Sequence, residues 1–277
     1  MKRLLPIALC VLLFSWKPPV SLSKLSKAKK GLDLVSGAAH KITEEEEYFI
    51  GRAVAARILA EYPLWKSREA TRYLNLVGRT LAWRSQRPEI YGGYHFAVLD
   101  TPEANAFSAP GGIVFLTRGI VAMTANEDEL AAVLAHEIQH VVAKDPLKAI
   151  KSQRLKALGT FAADEAMGSG GRVMGVFQES VLDISGTLLQ KGYSRGQEKR
   201  ADLGALELLA AAGYDPGALL SMLEKVKAGE KKKVRAFSAH PSASKRIAYV
   251  ASGVDRGAGG RNGSARTARF ERALSRR

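Results

Sequence analysis

Apolar residues spaced three and four apart dominate the chain from residue 43 to residue 253, with a single short region of strand character among them. Thr43 with Glu46 has the form of a capping box opening a helix to about Tyr62, and a second helical stretch covers Ser67 to Arg84. Tyr94 to Asp100 and Ile113 to Thr117 have β-branched or aromatic character, and Pro110-Gly111-Gly112 between them provides a turn. Asn126 then reads as an N-cap with Glu129 at the capping-box position, and Leu130, Val133, Leu134, Ile138 and Val141 recur at helical spacing. This buried helix should end at Asp145-Pro146, because the residue before a proline avoids the helical region. A helical insert, Pro146 to Gly192, is interrupted at Gly168-Ser169-Gly170-Gly171, where glycines permit a hinge and the flanking helices could form a lid, with a plain flexible surface turn as the simpler reading. Gln197 to Ala212 is helical, Gly213 with Asp215-Pro216 stops it and starts another helix, and Pro241 to Ala251 forms a last one. The expectation is an α+β domain, mostly helical, with a small sheet beside the helix that follows Asn126.

The chemistry sits on that helix. His136-Glu137-Ile138-Gln139-His140 places two imidazoles four residues apart, one above the other on one face, where both reach a single metal ion. Glu137 is turned by roughly 100° from His136, which suits it to hold an attacking water rather than the metal. A lone histidine on such a face reads as a hydrogen-bonded core residue, whereas the pair with the intervening glutamate reads as a zinc-hydrolase motif. A catalytic zinc needs a third protein ligand. The candidate is Glu198, which shares a helical face with Asp202 in the run Ser194 to Asp202, so that one carboxylate can bind metal while the other orients a ligand imidazole. The competing reading of the two, among Arg195, Lys199 and Arg200, is a set of surface ion pairs.

These motifs recur with others in a set order. HEIQH, the downstream Ser194-Arg195-x-x-Glu198-x-x-x-Asp202, Asn105 to Gly112, the Ala211 to Pro216 turn and Ser238-Ala239-His240-Pro241 with Arg246 together resemble the HtpX/BepA-type zinc metallopeptidases, the family that also contains the CAAX prenyl endopeptidases. The likeness runs from about Glu44 to about Gly253. It implies a zincin-like domain with one zinc per chain, bound by His136, His140 and Glu198, and Glu137 as general base. It implies catalytic parts for Asp202, at the family's acidic position beyond the third ligand, and for His240, placed near the zinc to block its open position or stabilise the transition state, although a histidine before Pro241 taken by itself reads as loop surface. Asp202 reads physically as a carboxylate that orients a ligand. Asn105 and Phe107, in the stretch from Asn105 to Ser108, are expected over the cleft as substrate-binding residues, with a plain hairpin connection as the alternative. An exposed strand beside the helix could take up an extended peptide by strand addition. Arg246 could neutralise a carboxylate or cap the polar face of its own helix.

Charge and the N-terminus bear on compartment. Lys2-Arg3 followed by an apolar run from Leu4 to Trp16 has the form of a secretory signal, too short for a membrane span and expected to end near residue 23. An uncleaved anchor is the alternative. Residues 24–42 then form a basic linker, 43–253 the peptidase domain, and 254–277 a basic tail expected to be disordered or weakly helical. Removal of the signal would take away the single cysteine, so disulfides have no part. The formal net charge of +15 is concentrated in residues 24–30, 231–235 and 256–277. Nucleic acid is not the expected partner of an exported protein, and few aromatics lie near the tail for base stacking. An anionic membrane or cell-wall surface fits the tail better, with plain solvated charge as the simpler reading. The expected substrates are unfolded or misfolded proteins, in the periplasm or cell envelope. The competing class is a zinc-containing peptide-binding holdase with latent proteolysis; a nucleic-acid-binding protein with a chance HExxH would have to explain five ordered motifs as coincidence.

Overall fold

A computed structural model describes residues 42–150, 170–231, 240, 242–254 and 263–274. The signal and nearly all of the basic linker, the middle of the insert with the start of its glycine hinge, the basic run after Lys231 and both flanks of His240 lie outside the described residues.

Helix α1 (Glu44–Glu61) opens with the expected reciprocal cap: Glu46 N donates to Thr43 Oγ1 at 3.2 Å and Thr43 N to Glu46 Oε2 at 2.8 Å. α2 (Arg68–Trp83) begins after Ser67, whose hydroxyl accepts from Ala70 N. Three strands follow, β1 (His95–Leu99), β2 (Ala106–Ala109) and β3 (Ile113–Thr117), in the order β1-β3-β2. The two strands expected from sequence are present, but they pair in parallel, Phe96 opposite Val114 and Val98 opposite Leu116. Between them in sequence lies a strand the pattern did not announce: Ala106–Ala109 pairs antiparallel with β3, and Pro110–Gly112 makes the turn joining them. Its residues are mostly small and lack β-branching, so propensity was silent, and pairing to β3 decides its conformation.

The sheet divides two apolar clusters, as strand alternation requires. Phe96, Val98, Ala106, Val114 and Leu116 pack with Leu74, Val77 and Leu81 of α2 and with Leu134 and Ile138 of α4 (Glu127–Val142). Leu99, Phe107, Ala109 and Phe115 pack with Ile50, Val54 and Ile58 of α1 and with Val181 and Ile184 of α5 (Gly170–Gly186). Phe107 is therefore a core residue, stacked on Tyr62 at 5.9 Å, and the expectation that it lines a cleft is corrected. A phenylalanine at an inward strand position is claimed by the larger apolar surface available to it. Asn105 is also buried and tied locally: its side-chain oxygen accepts from Ala106 N, and its backbone exchanges hydrogen bonds with Thr117.

The short α3 (Arg118–Met123) leads into α4. After α5 comes a π-helical turn, Thr187–Lys191, then α6 (Arg195–Ala211), α7 (Gly217–Lys231), α8 (Ala243–Gly253) and α9 (Gly263–Leu274). α6 lies close along α4 because Gly204 faces Gln139: a Cβ at residue 204 would stand 2.7 Å from that side chain. The helix α9 lies in the basic tail expected to be disordered or weakly helical, and its contacts go beyond that expectation. Phe270 and Leu274, one turn apart, are buried in the main cluster, and Arg266 and Arg269 meet Asp128 and Glu127. Composition counted the arginines as solvated charge, whereas here they have carboxylate partners. Among the described residues no helix is long and apolar enough to cross a membrane.

Candidate metal centre

α4 supplies His136, Glu137 and His140, α6 supplies Glu198 and Asp202, and His240 precedes α8. Both helices are placed by their caps. Asn126 Oδ1 accepts from Glu129 N at 2.9 Å, and Ser194 with Gln197 makes a complete capping box. Glu129 does not close the box expected at the start of α4; its carboxylate reaches Ala125 N, Ser221 and Lys225.

Donor atoms of His136, His140, Glu198 and His240 lie within 4.8 Å of one another, and all four residues are buried. The two Nε2 atoms of His136 and His140 are 3.2 Å apart. Glu198 Oε2 lies 3.6 Å from His136 Nε2, and Glu198 Oε1 lies 3.5 Å from His140 Nε2. His240 Nδ1 is 2.8 Å from Glu198 Oε1 and 3.5 Å from His136 Nε2, so this imidazole stands among the other donors. Its Nε2 lies 3.5 Å from Glu137 Oε1.

The outer nitrogen of each α4 histidine is held by a carboxylate. His136 Nδ1 is 2.9 Å from Asp202 Oδ1, and His140 Nδ1 is 2.9 Å from Asp145 Oδ2. A proton on each Nδ1, donated to its carboxylate, leaves both Nε2 lone pairs facing inward, the tautomer that binds a metal. Arg246 Nη2 also comes within 3.3 Å of His136 Nδ1, but its hydrogen bonds run to Asp202, from Nη2 at 2.6 Å and Nε at 2.9 Å. Tyr249 donates to Asp202 as well, at 2.6 Å, and Arg246 Nη1 sits 3.1 Å from Glu198 Oε2. Asp202 is thereby saturated.

The electrostatics follow from burial opposed by these partners. Burial disfavours charge on His140, but Asp145 and Glu198 outweigh it and raise its pKa to about 9. On His136 burial wins, helped by Arg246, and the pKa falls despite Asp202. Burial pushes Glu198 upward, yet His240, His140 and His136 hold it far below the carboxylate range. Asp202 is likewise depressed by His136 and Arg246 against burial, and Asp145 is lowered to about 2 by His140 and Lys148.

Two histidine nitrogens and a carboxylate, with outer-sphere carboxylates fixing both rings, are a zinc donor set. Among the described residues Glu198 Oε2 is buried with no hydrogen-bond partner beyond its ion pair with Arg246, and both carboxylate oxygens of Glu137 are buried without one, so the residues present fit a cation with a neighbouring water.

Every histidine and acidic residue predicted for the centre is brought together there; Asn105 and Phe107 are not shown in it. Arg246 proves to be a buried partner of both Glu198 and Asp202 rather than a cap on its helix. Four residues escaped the sequence. Asp145 was read as a helix terminator, but Lys144 adopts a left-handed conformation (φ 53°) that turns the carboxylate back to His140, where Arg200 and Lys148 also bind it. Arg200 itself carried no signal beyond its charge. Tyr193 follows the π turn and Gly192 (φ 71°) and stacks on His140 at 4.0 Å, and burial pushes its phenol well above the ordinary value. Tyr249 lies on α8, where its spacing three residues from Arg246 was the only available clue.

The family comparison agrees with this geometry. Residues 68–253 match Peptidase family M48. The beta-barrel assembly-enhancing protease of Yersinia pestis is 30% identical over 199 residues, covering 70% of this chain and 40% of that protein. Mitochondrial metalloendopeptidase OMA1 of Schizosaccharomyces pombe is 39% identical over 156 residues, 55% of this chain and 44% of that one. Metalloprotease LoiP of Escherichia coli is 29% identical over 158 residues, 56% and 61% of the respective chains. The chain thus spans about 40% of the length of the first of these relatives. With HExxH on α4 and the third acidic donor on α6, the chain belongs to peptidase family M48, whose members are zinc metallopeptidases.

Proposed function

We propose that this protein is an exported zinc endopeptidase of the cell envelope that cleaves unfolded or misfolded proteins. The observation that carries the reading is Glu137: a fully buried carboxylate with no hydrogen-bond partner among the described residues on either oxygen, beside the three donors His136, His140 and Glu198. A structural role would have given such a group partners. When bound, zinc polarises the scissile carbonyl and lowers the pKa of water from 15.7 to roughly 7. Glu137 holds the attacking water, takes its proton as the new C–O bond forms, and delivers that proton to the leaving nitrogen as the C–N bond breaks. Asp202 and Asp145 keep the two imidazoles oriented, and Arg246 keeps Asp202 charged. His240, moved away from Glu198, has an N–H to offer the developing oxyanion. β2 is the sheet edge beside α4, so an extended substrate added there would run past the centre.

Envelope quality control is supported by the signal-like N-terminal sequence and by relatives that include beta-barrel assembly-enhancing proteases. An anionic membrane or cell-wall surface suits the +15 charge, although the docked α9 leaves less of the tail free for it. A second reading, a peptide-holding protein with latent cleavage, draws on His240, which sits 2.8 Å from Glu198 in a centre closed to solvent. The test is zinc stoichiometry together with cleavage of unfolded casein, for wild type and Glu198→Ala. One zinc per chain with cleavage, and weakened zinc in Glu198→Ala, is the expected result. Stoichiometric zinc without cleavage selects the latent form, and no zinc overturns both readings.

A further inference from the structure

Six buried side-chain polar atoms have no hydrogen-bond partner among the described residues: Ser108 Oγ, Arg118 Nε, Glu137 Oε1 and Oε2, Tyr193 OH and Glu198 Oε2. Arg118 has its charge partner in Asp100 at 3.0 Å. The other five cluster at the metal centre or beside it. Native interiors leave few such groups, and several together mark a place where a ligand's polar atoms belong. Glu198 and Glu137 are accounted for by metal binding and proton transfer. Ser108 and Tyr193 are not.

Tyr193 is 6% exposed and its ring lies on His140, centroids 4.0 Å apart and planes 21° from parallel. The same ring is 6.0 Å from the imidazole of His240. His140 is itself pinned through Nδ1 to Asp145, so the stacked phenol has a fixed plane. Its hydroxyl faces Ser108 Oγ without the geometry of a formed bond. Ser108 stands on β2 opposite Val114, on the sheet face directed at α4.

We infer that Tyr193 is a further catalytic residue, whose phenol donates a hydrogen bond to the scissile carbonyl oxygen as that oxygen gains negative charge, while Ser108 donates to the phenol oxygen. The assignment rests on the peptidase reading above and adds a donor from this chain to it. A phenol has one proton to give and lone pairs to accept with, so a serine donating to it leaves the proton directed at substrate. A preorganised donor in a dry site acts on the transition state more than on bound substrate.

The test uses the zinc-loaded full chain as wild type, Tyr193→Phe and Ser108→Ala. The readouts are kcat and KM on an unstructured fluorogenic peptide, the affinity of a phosphinic peptide that mimics the tetrahedral state, and zinc content. Phenylalanine keeps the ring on His140, so zinc content and melting temperature should stay at wild-type values. Tyr193→Phe is expected to lower kcat by about 100-fold with KM unchanged and to weaken the phosphinic peptide by a comparable factor. Ser108→Ala should lose less, in the same direction. A Tyr193→Phe protein with wild-type kcat, or one whose loss tracks lost zinc, overturns the assignment alone. A zinc-loaded wild type that neither cleaves nor binds the phosphinic peptide overturns the peptidase reading and the assignment with it.

Discussion

The helix α4 buries a glutamate near each end, and the two are treated in opposite ways. Glu127, in its first turn, is 0% exposed and accepts from Tyr73 at 2.7 Å, from Tyr214 at 3.0 Å and from two nitrogens of Arg269. Glu137, less than three turns later, is equally buried and accepts no hydrogen bond among the described residues. Burying a carboxylate is costly, and the cost is offset at Glu127 by partners and by the positive end of the helix dipole. At Glu137 no hydrogen bond among the described residues supplies such an offset, and the nearest group able to carry positive charge is the His240 imidazole, 3.5 Å from Oε1. Burial alone therefore does not separate a structural acid from a working one; the count of satisfied lone pairs does.

The largest expected effect comes from the unsatisfied end. Glu137→Gln should lower cleavage by about 1000-fold, since it removes the proton acceptor. Zinc stoichiometry should remain at one per chain, and the melting temperature should not fall, because the buried carboxylate that is neutralised accepts no hydrogen bond among the described residues. A variant that cleaves within tenfold of wild type would show that the water is activated elsewhere. The opposite substitution sharpens the contrast: Glu127→Gln should cost about 2 kcal/mol in chemical denaturation, the order expected for lost hydrogen bonds to a charged group. Its cleavage rate, measured where the protein is folded, should match wild type. A loss of activity at full folding would mean that the N-terminal cluster of α4 reaches the chemistry.

Asp145→Asn tests the outer partners of the centre. The amide can accept from His140 Nδ1 but carries no charge, so zinc affinity should drop by about tenfold, at the lower end for such carboxylates. Arg200, 2.5 Å from Asp145 Oδ1, and Lys148 lose their charge partner in the same variant. An unchanged affinity in a competition titration would show that orientation, not charge, is the whole contribution of residue 145.

How much of this was visible in the sequence follows the same division. The helices were legible because their caps and apolar spacing are local, as at Thr43 with Glu46 and Ser194 with Gln197. His136, Glu137 and His140 were legible because one helical turn fixes their relation, and Glu198 with Asp202 because a second turn does. Strand β2 was missed because pairing, not its own residues, makes it a strand. Asp145 and Tyr193 were missed because each depends on a backbone reversal, at Lys144 and at Gly192, that aims it at His140. The docking of the tail was not legible because charge composition does not reveal that Arg266 and Arg269 would meet Asp128 and Glu127 more than 130 residues away in sequence.

The smallest expected effect concerns those tail arginines and pH. Burial raises the pKa of Glu127, but hydrogen bonds from Arg269, Tyr73 and Tyr214 outweigh it and the net shift is downward from 4.5. Glu129 is lowered likewise, by Lys225, Ala125 N–H and Ser221 against burial. A carboxylate whose folded-state pKa is depressed contributes stability that is present above its unfolded value and is lost as pH falls through the folded one. The stabilisation from Glu127 is therefore complete above pH 4.5 and declines below it. Arg269 is 43% exposed, so solvent screens its pair and Arg269→Met should cost less than about 1 kcal/mol at neutral pH. The gap in denaturation midpoint between wild type and this variant should hold from neutrality down to about pH 5 and narrow at lower pH, as Glu127 protonates in both proteins. A gap that stays constant down to pH 3 would assign the role of Arg269 to its alkyl stem packed on the domain, and the latch of α9 onto the active-site helix would then rest on Phe270 and Leu274.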